Sequence, residues 1–571
     1  MVGVAFAIED GPSYYLPMRH HGGDNLPVEQ VLGYLRDQAK EYNGIVVGAN
    51  LGYDLDYTEE EGILFGPNVR FRDIQVADAV LFELHQSYKL DAIASRWELP
   101  GKDETLLRAA AKNYGVDPKR GLWQLPARYV GAYGERDVQL PLHILRKQER
   151  HIEEQDLWSV YDLESALLPV LLRMRRRGIR VDLDALDRFT VMAQKLEQQH
   201  LRRIKHLTNI NVDSEDLWRK GALVLALEAA GIVLKTTPTG QPAIDKSLLR
   251  SAEHPVAEAV LRARQCNKAR TTFVKSIRDH MVGDRVHCIM NQLRGSRKEG
   301  NDAGARFGRM SSEHPNLQQQ LSKGELAKPW RSIFVPDKPL WFCADFSQQE
   351  PRMLTHFAEL CNLTGAKAAG DRYRTDPKTD NHQMMAELCS IPRDPAKMIY
   401  LGLCYGMGGA KLAHSLGLPT KWITTSRGRV EVAGDEAQAL LDKFDARAPF
   451  VRQLARLAER IASHRGYIVT LLGRRLHFPQ RPDGSYDWAH KALNRLIQGS
   501  SADQTKLAMV QADRAGFYMQ AQVHDELDGS IDTVDEGRQL AKIMVECVAL
   551  RVPSRVDLEV GQSWGELKDV A

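Results

Sequence analysis

The sequence predicts an α+β protein of several domains, and three observations predict it. Its 571 residues amount to about four units of roughly 150 residues each. Residues 1 to about 155 alternate short β-rich runs with helical stretches, as in an α/β layer, whereas residues 183–290 read as mostly helical. Further on, isolated apolar strands run into a helix or into a hairpin. Hydrophobic residues at 43% and charged residues at 26% give an ordinary globular composition, too apolar for wholesale disorder.

The elements follow in order. Val2–Ile8, Tyr14–Pro17 and Ile45–Ala49 read as strands, the first of them buried, and Leu26–Glu41 and Ala77–Trp97 as helices. An amphipathic pattern through Leu163, Leu167, Leu171 and Met174 predicts a helix over residues 153–178, kinked at Pro169 and stopped by Gly178, with a domain boundary near 155. Arg262, Arg264, Lys268, Arg270, Lys275 and Arg278 recur at helical spacing, which taken alone reads as a solvated face. Residues 294–309 are Gly-rich and charged, hence a loop that orders on binding a ligand. The Gly-rich stretch at Met407 lacks the spacing of a phosphate-binding loop.

Composition also excludes. With 77 Lys+Arg against 74 Asp+Glu, any nucleic-acid surface must be local. No apolar run approaches the ~18 residues of a membrane span. The amino terminus is apolar but short, and it lacks the basic start of a signal peptide. Seven cysteines without a Cys-x-x-Cys pair read as reduced thiols, which points to the cytoplasm.

Three pieces carry chemistry. In Leu340–Met353 an apolar strand runs into Asp345, and a helix follows. Ser347 and Glu350 have capping-box spacing, but Pro351 has no N–H to give; the helix is therefore expected to start at Pro351, leaving Glu350 free. In the second piece Arg393, Lys397, Leu401 and Tyr405 step by four along one helix face that rises roughly 18 Å, cations at one end and an aromatic ring at the other. Asp394-Pro395 also reads as a cap and first helical residue, which would leave Arg393 just outside. In the third, alternation over Tyr518–Val523, then His524-Asp525-Glu526, then a second strand predicts a hairpin with Asp525 at its tip. Singly these read as a helix cap, an amphipathic helix and a polar turn.

In that order the three pieces resemble the polymerase motifs of family A DNA polymerases, the DNA polymerase I type, over about residues 155–571, and the Ser-Gln-Gln-Glu-Pro-Arg variant is similar to phage enzymes. The resemblance implies a right-hand polymerase with an antiparallel palm sheet: thumb about 183–300, palm about 301–375 and 466–571, fingers about 376–465. It implies template-directed addition of dNTPs to a primer 3′ hydroxyl on primer–template DNA by a monomer, in the cytoplasm of a bacterium or phage-infected host. Asp345 and Asp525, with the backbone carbonyl of Phe346, would hold two Mg²⁺ ions, with Mn²⁺ as a substitute. Lys397 would neutralise the triphosphate and protonate the leaving group, with Arg393, His382 and Gln348 as further nucleotide contacts. Glu350, hydrogen-bonded to Tyr405, resembles the gate against a ribose 2′ hydroxyl; Leu401 stands where an aromatic residue is commonest. Arg309, Asn316, Gln318, Arg474, Arg475, Asn494, Gln498 and His524 would contact DNA, and the basic row at 262–278 becomes a thumb surface gripping phosphates.

Residues 1–155 resemble the 3′→5′ exonuclease domain of the same family, a ribonuclease-H-like α/β fold. Asp54 matches its second acidic motif and Tyr133-x-x-x-Asp137 its third, while the first strand and its Asp-x-Glu are missing; either the domain is a structural remnant or, the favoured expectation, the sequence begins inside a longer product, and exonuclease activity is expected to be doubtful. Two competing readings are a single-subunit RNA polymerase, disfavoured by Glu350 and the exonuclease-like unit, and a non-catalytic DNA-binding protein, disfavoured by the retention of Asp345, Lys397 and Asp525.

Overall fold

The computed structural model describes residues 1–219, 221–237, 240–293, 307–425 and 428–570, and it is an α+β protein. Near the amino terminus β1 (Gly3–Ala7) and β2 (Ser13–Pro17) form an antiparallel hairpin, and β3 (Ile45–Gly48) pairs in parallel with β4 (Arg70–Asp73). Helix α1 (Leu51–Glu60) joins β3 to β4, and α2 (Gly131–Glu154) packs on β1, β2 and β3. Among the described residues the two strand pairs are not hydrogen-bonded to each other, and β1, expected to be buried, is half-buried along its length.

Two helix expectations change. The helix expected over 77–97 is split into Ile74–Leu81 and Leu90–Arg96. In the break, the Glu83 carboxylate accepts hydrogen bonds from the backbone N–H of His477 at 2.6 Å and from its ring Nδ1 at 2.8 Å, tying this part to the rest of the chain. The helix expected over 153–178 breaks at 155–157, so that α2 ends and α3 (Trp158–Arg177) begins where a domain boundary was expected. Pro169 lies inside α3, and Gly178, at φ +61°, stops it with a conformation that costs a residue bearing a Cβ.

The basic row is not one free face. Helix α4 (Leu183–Thr208) packs along α5 (Pro255–Lys268), and buried Glu197 of α4 takes Arg270 at 3.3 Å. Arg264 turns inward to the carbonyls of Leu217 and Ile244, and Arg278 pairs with Asp187 at 2.5 Å. Arg262 pairs with Glu325 at 3.9 Å and Lys275 with Asp279, so five of the six expected phosphate-gripping cations are engaged within the protein. The expected loop at 294–309 lies, up to residue 306, outside the described residues.

The five-stranded sheet positions the site. Strand β5 (Leu340–Phe346) leads into α6 (Gln349–Leu360); α7 (Asn381–Cys389) and α8 (Arg393–Cys404) follow. A short hairpin, β6 (Tyr467–Val469) and β7 (Arg475–His477), precedes the long α9 (Ala492–Arg514). Then come β8 (Tyr518–Val523), β9 (Glu526–Ile531), α10 (Val534–Glu546), β10 (Val556–Gly561) and β11 (Leu567–Asp569). The sheet is antiparallel throughout, in the order β8-β9-β5-β10-β11.

Alternation divides β5 between two environments. Phe342, Ala344 and Phe346 point to a core shared with Met509 of α9 and Leu540 of α10, where each buried phenylalanine contributes about 2 kcal/mol. Trp341, Cys343 and Asp345 occupy the other face, Trp341 stacking on Trp564 with ring centroids 6.0 Å apart. A buried charge network fastens α3 to α9 and to the β6–β7 turn. Glu164 takes Lys506 and Arg474, each at 2.5 Å, and Arg474 also pairs with Asp503 at 2.8 Å.

Candidate active site

The chain brings Asp345 and Asp525 together through two strand ends. Asp345 is the penultimate residue of β5, in register with Glu526 of β9 on one side and Asp557 of β10 on the other. Asp525 lies in the two-residue turn between β8 and β9, where His524 takes φ +62°. The N–H of Phe346 donates to the Asp525 carbonyl at 3.3 Å, so the end of β5 abuts the turn. Burial, then Asp525, Glu526 and Asp557, pushes the Asp345 carboxyl up to about 9, while Lys397 pulls the other way. Asp525 is likewise raised, by burial and then by Glu350 and Glu526. Four carboxylates thus crowd one sheet edge, an arrangement that repels anions unless cations intervene. In the sequence Glu526 stood only as the end of the His-Asp-Glu piece, without a role, and Asp557 carried no signal; the strand register brings both to Asp345.

Helix α8 faces this edge. Arg393 is its first residue and is not outside it, because Pro392 is the N-cap. Asp394 and Pro395 fill the next two positions, where a missing N–H costs no helical bond. Lys397 is exposed one turn on, while Arg393 is held at 2.7 Å by Asp380, the residue that caps α7. His382, in the first turn of α7, is buried with neither ring nitrogen hydrogen-bonded, and burial followed by Lys397 drives it down to about 4, hence neutral.

Glu350 and Tyr405 meet as expected: the Tyr405 hydroxyl donates to Glu350, whose other oxygen takes Arg309 at 2.7 Å. Helix α6 starts at Gln349, two residues before the expected Pro351. Its first 5→1 bond is donated by Arg352 to Gln348, so Pro351 sits at the last position that needs no N–H. Ser347 is not the cap, and Glu350 is free for the Tyr405 contact. Leu401 packs half-buried against the core beneath α8. Gly308, Arg309, Gln318, Glu350, His524 and Asp525 line a cleft.

Several expected contacts are engaged elsewhere. Arg474, expected on DNA, is buried between Glu164 and Asp503. Arg475 is turned to Gln155 and lies over the Tyr467 ring. Asn316 caps a short helical turn through the N–H of Gln318, and Gln318 holds Gln522 at 2.9 Å. The amide of Gln348 binds Thr379 and Asn381 at its two ends, fixing the approach to α7. Asn494 and Gln498 lie one turn apart on α9, the Asn494 carbonyl oxygen buried without a partner. His524 is exposed at the turn.

In the amino-terminal part, desolvation and then Asp73 and Asp137 raise the Asp54 carboxyl. Lys102 reaches Asp137 at 2.9 Å and the Tyr133 hydroxyl at 3.4 Å. Asp73 and Lys102 carried no motif signal. Asp73 is also the cap of the next helix and accepts the N–H of Leu51 at 2.7 Å.

Two carboxylates on an abutting strand end and turn, with Lys397 of α8 acting on both, suit the transfer of nucleotidyl groups. Comparison with known proteins makes the class specific. Residues 184–566 match the model of DNA polymerase family A. The chain is 52% identical to a DNA-directed DNA polymerase of Pseudomonas phage M6, over 99% of this chain and 90% of that one. It is 30% identical to the DNA polymerase DpoZ of Salmonella phage PMBT28, over 99% and 94%. The polymerase domain of Pol1 from M. smegmatis, solved with primer–template DNA and dNTP, shares its fold at 21% identity, with a TM-score of 0.74 over 97% of this chain and 91% of that one. The chain belongs to DNA polymerase family A.

Proposed function

We propose that this chain is a template-directed DNA polymerase of phage replication, acting in the cytoplasm of the infected host, that adds dNTPs to a primer by two-metal nucleotidyl transfer at Asp345 and Asp525. The observation that carries this is that the end of β5 bearing Asp345 abuts the turn bearing Asp525, with Lys397 of α8 acting on both carboxyls. The family match and the phage relatives favour it over an RNA polymerase or a non-catalytic binder.

The donor set fits divalent magnesium: two carboxylates and the Phe346 carbonyl are hard oxygens, and both carboxyls, raised by burial and by acidic neighbours, need cations to ionise together. When bound, such ions activate the primer hydroxyl and steady the leaving oxygens. Lys397, among the described residues without an ion-pair partner, neutralises the phosphates and gives its proton to the departing pyrophosphate. Arg393 must leave Asp380 to join it, and the orphaned ring of His382 supplies a donor or acceptor at the same end of α8. Arg309 must likewise leave Glu350 to reach the minor groove. Thumb, palm and fingers are assigned as the family implies, and residues 1–155 as an exonuclease-like domain with Asp54, Tyr133 and Asp137. The experiment is primer extension by the purified chain with Mg²⁺ or Mn²⁺. dNTP-dependent extension, blocked by a chelator, supports the reading; extension with rNTPs alone, or none at all, overturns it.

Two variants test the nucleotide pocket. Glu350→Ala removes bulk and the Tyr405 acceptor and keeps both Asp345 and Asp525, relieving Asp525 of one acidic neighbour. We expect ribonucleotide incorporation to rise at least roughly tenfold relative to dNTP, a difference of about 1.4 kcal/mol, in single-nucleotide kinetics. Unchanged selectivity would assign Glu350 to holding Arg309 and Tyr405 alone. Leu401→Tyr places a hydroxyl on the half-buried side of α8. Dideoxynucleotide termination is expected to increase, because that hydroxyl replaces the missing 3′ hydroxyl as a polar partner. No increase would place Leu401 away from the sugar.

A further inference from the structure

The sheet face that carries Asp345 continues into a second group of ligating side chains. Two residues back along β5, Cys343 stands opposite Asp528 of β9 and Glu559 of β10. The Cys343 thiol and the carboxylates of Glu526 and Asp528 each offer one atom within 4.8 Å of the other two. Among the described residues no other three His, Cys, Asp or Glu side chains are drawn so close. Neither Cys343 nor Asp528 has a part in the reaction described above.

The protein builds a surround for this cluster. Asp528 is fully buried; its Oδ1 accepts the Trp341 indole N–H at 3.1 Å, and its Oδ2 is buried with no hydrogen-bond partner. A buried polar group left half-satisfied is costly, and so asks for a ligand. Glu526 is backed in the same way, its Oε1 accepting the Trp564 indole N–H at 3.4 Å. An indole can only donate, so the two stacked indoles engage one oxygen of each carboxylate and leave the other without an indole donor. Outer donors orient metal ligands in this manner.

We propose that Cys343, Glu526 and Asp528 bind one divalent transition-metal ion, distinct from the ions of the Asp345–Asp525 pair, and that Zn²⁺ is the ion the set suits. One thiolate with two carboxylates is softer than a magnesium site and matches the mixed sulfur and oxygen ligation of zinc. Three protein ligands leave a fourth tetrahedral position, which water or Glu559 fills. Binding releases the thiol proton to solvent. The ion clips β5 to β9, the two strands that hold Asp345 and Asp525, and draws Glu526 away from the reacting pair.

The test uses the full chain, kept reduced, with Co²⁺ as a spectroscopic stand-in for Zn²⁺. One equivalent of Co²⁺ should produce a thiolate-to-cobalt absorption in the near ultraviolet, and Zn²⁺ should displace it. Cys343→Ser should abolish the band, and Asp528→Asn, which keeps the Trp341 bond but removes the charge, should abolish it too. Asp525→Asn, which disables the polymerase pair, should leave it in place. Trp341→Phe removes only the outer donor, and should weaken Co²⁺ binding roughly 10- to 100-fold while the saturated spectrum persists. Absence of the band in the unaltered chain, or its survival in Cys343→Ser, overturns the site. A proton shared between Asp528 and Glu526 would then account for the cluster. Primer extension is read on the same samples with Mg²⁺ alone, so failure here and failure of the polymerase reading are separate results.

Discussion

Asp345→Asn and Asp525→Asn should each lower primer extension by at least about 10³-fold, roughly 4 kcal/mol of transition-state stabilisation, while primer–template binding stays close to that of the unaltered chain. Asparagine keeps the shape and removes the charge that a divalent cation needs. The same substitutions should not unfold the protein. The Asp345 carboxyl is raised to about 9 by burial and by its acidic neighbours. A carboxyl whose pKa is raised on folding favours the fold when protonated. Its contribution is fully present below the unfolded value near 4 and is lost as pH rises toward 9. At neutral pH without metal, Asp345→Asn is therefore expected to raise the melting temperature. Added Mg²⁺ should stabilise the unaltered chain and do little for the variant, because only the former binds it. Two readouts moving in opposite directions separate loss of chemistry from loss of structure. A variant that melts lower and extends poorly would point to a structural role for Asp345.

What the sequence could say about this site depended on how local the signal was. Asp345 and Asp525 were legible because an apolar run ending in a carboxylate, and alternation broken by His-Asp-Glu, are local patterns that fix strand and turn by themselves. Helix α6 starts two residues before the expected position because Pro351 tolerates any of the first helical positions, not the first alone. Arg393 was ambiguous for the same reason, with Pro395 at the third position of α8. The DNA-facing set was less legible. An arginine in a polymerase motif reads as a phosphate or base contact, yet Arg474 meets Glu164 across 310 residues of sequence, a partner no local pattern can announce. Asn316 and Gln348 are likewise occupied with caps and loop ties. Glu526, Asp528 and Cys343 became a cluster only through the register of β5 with β9. In the amino-terminal part, Lys102 comes to Asp137 from a segment without a motif.

The second large effect concerns the buried network beneath the cleft. Lys506 lies on α9, fully buried, with its ammonium on Glu164 of α3, and Arg474 bridges Glu164 and Asp503. Burial alone would raise Glu164, but Lys506 and Arg474 together pull it down to about 2. The same burial outweighs Glu164 at Lys506 and holds that ammonium below its usual value, so the gain on the acid is offset by a cost on the base. The net worth of the intact network is modest, yet breaking it is expensive, because removing one member strands a buried charge. Lys506→Met should therefore destabilise the α3–α9 contact by about 3–5 kcal/mol. A chain of this size need not unfold in one step, so the measurement is local: amide exchange in α3 and α9 should speed up by roughly a hundredfold or more. Glu164→Gln with Lys506→Met should recover part of the loss, since it removes the stranded charge as well. The sign in pH follows from Glu164. Its folded pKa is depressed, so its contribution is present above the unfolded value near 4.5 and lost only as pH falls toward 2. In Lys506→Met that folded pKa climbs, and the loss should begin at less acid pH. Exchange in α9 that stayed slow in Lys506→Met, with an unchanged acid limb, would mean that Arg474 alone satisfies Glu164 and that the lysine is dispensable to the packing beneath the carboxylate pair.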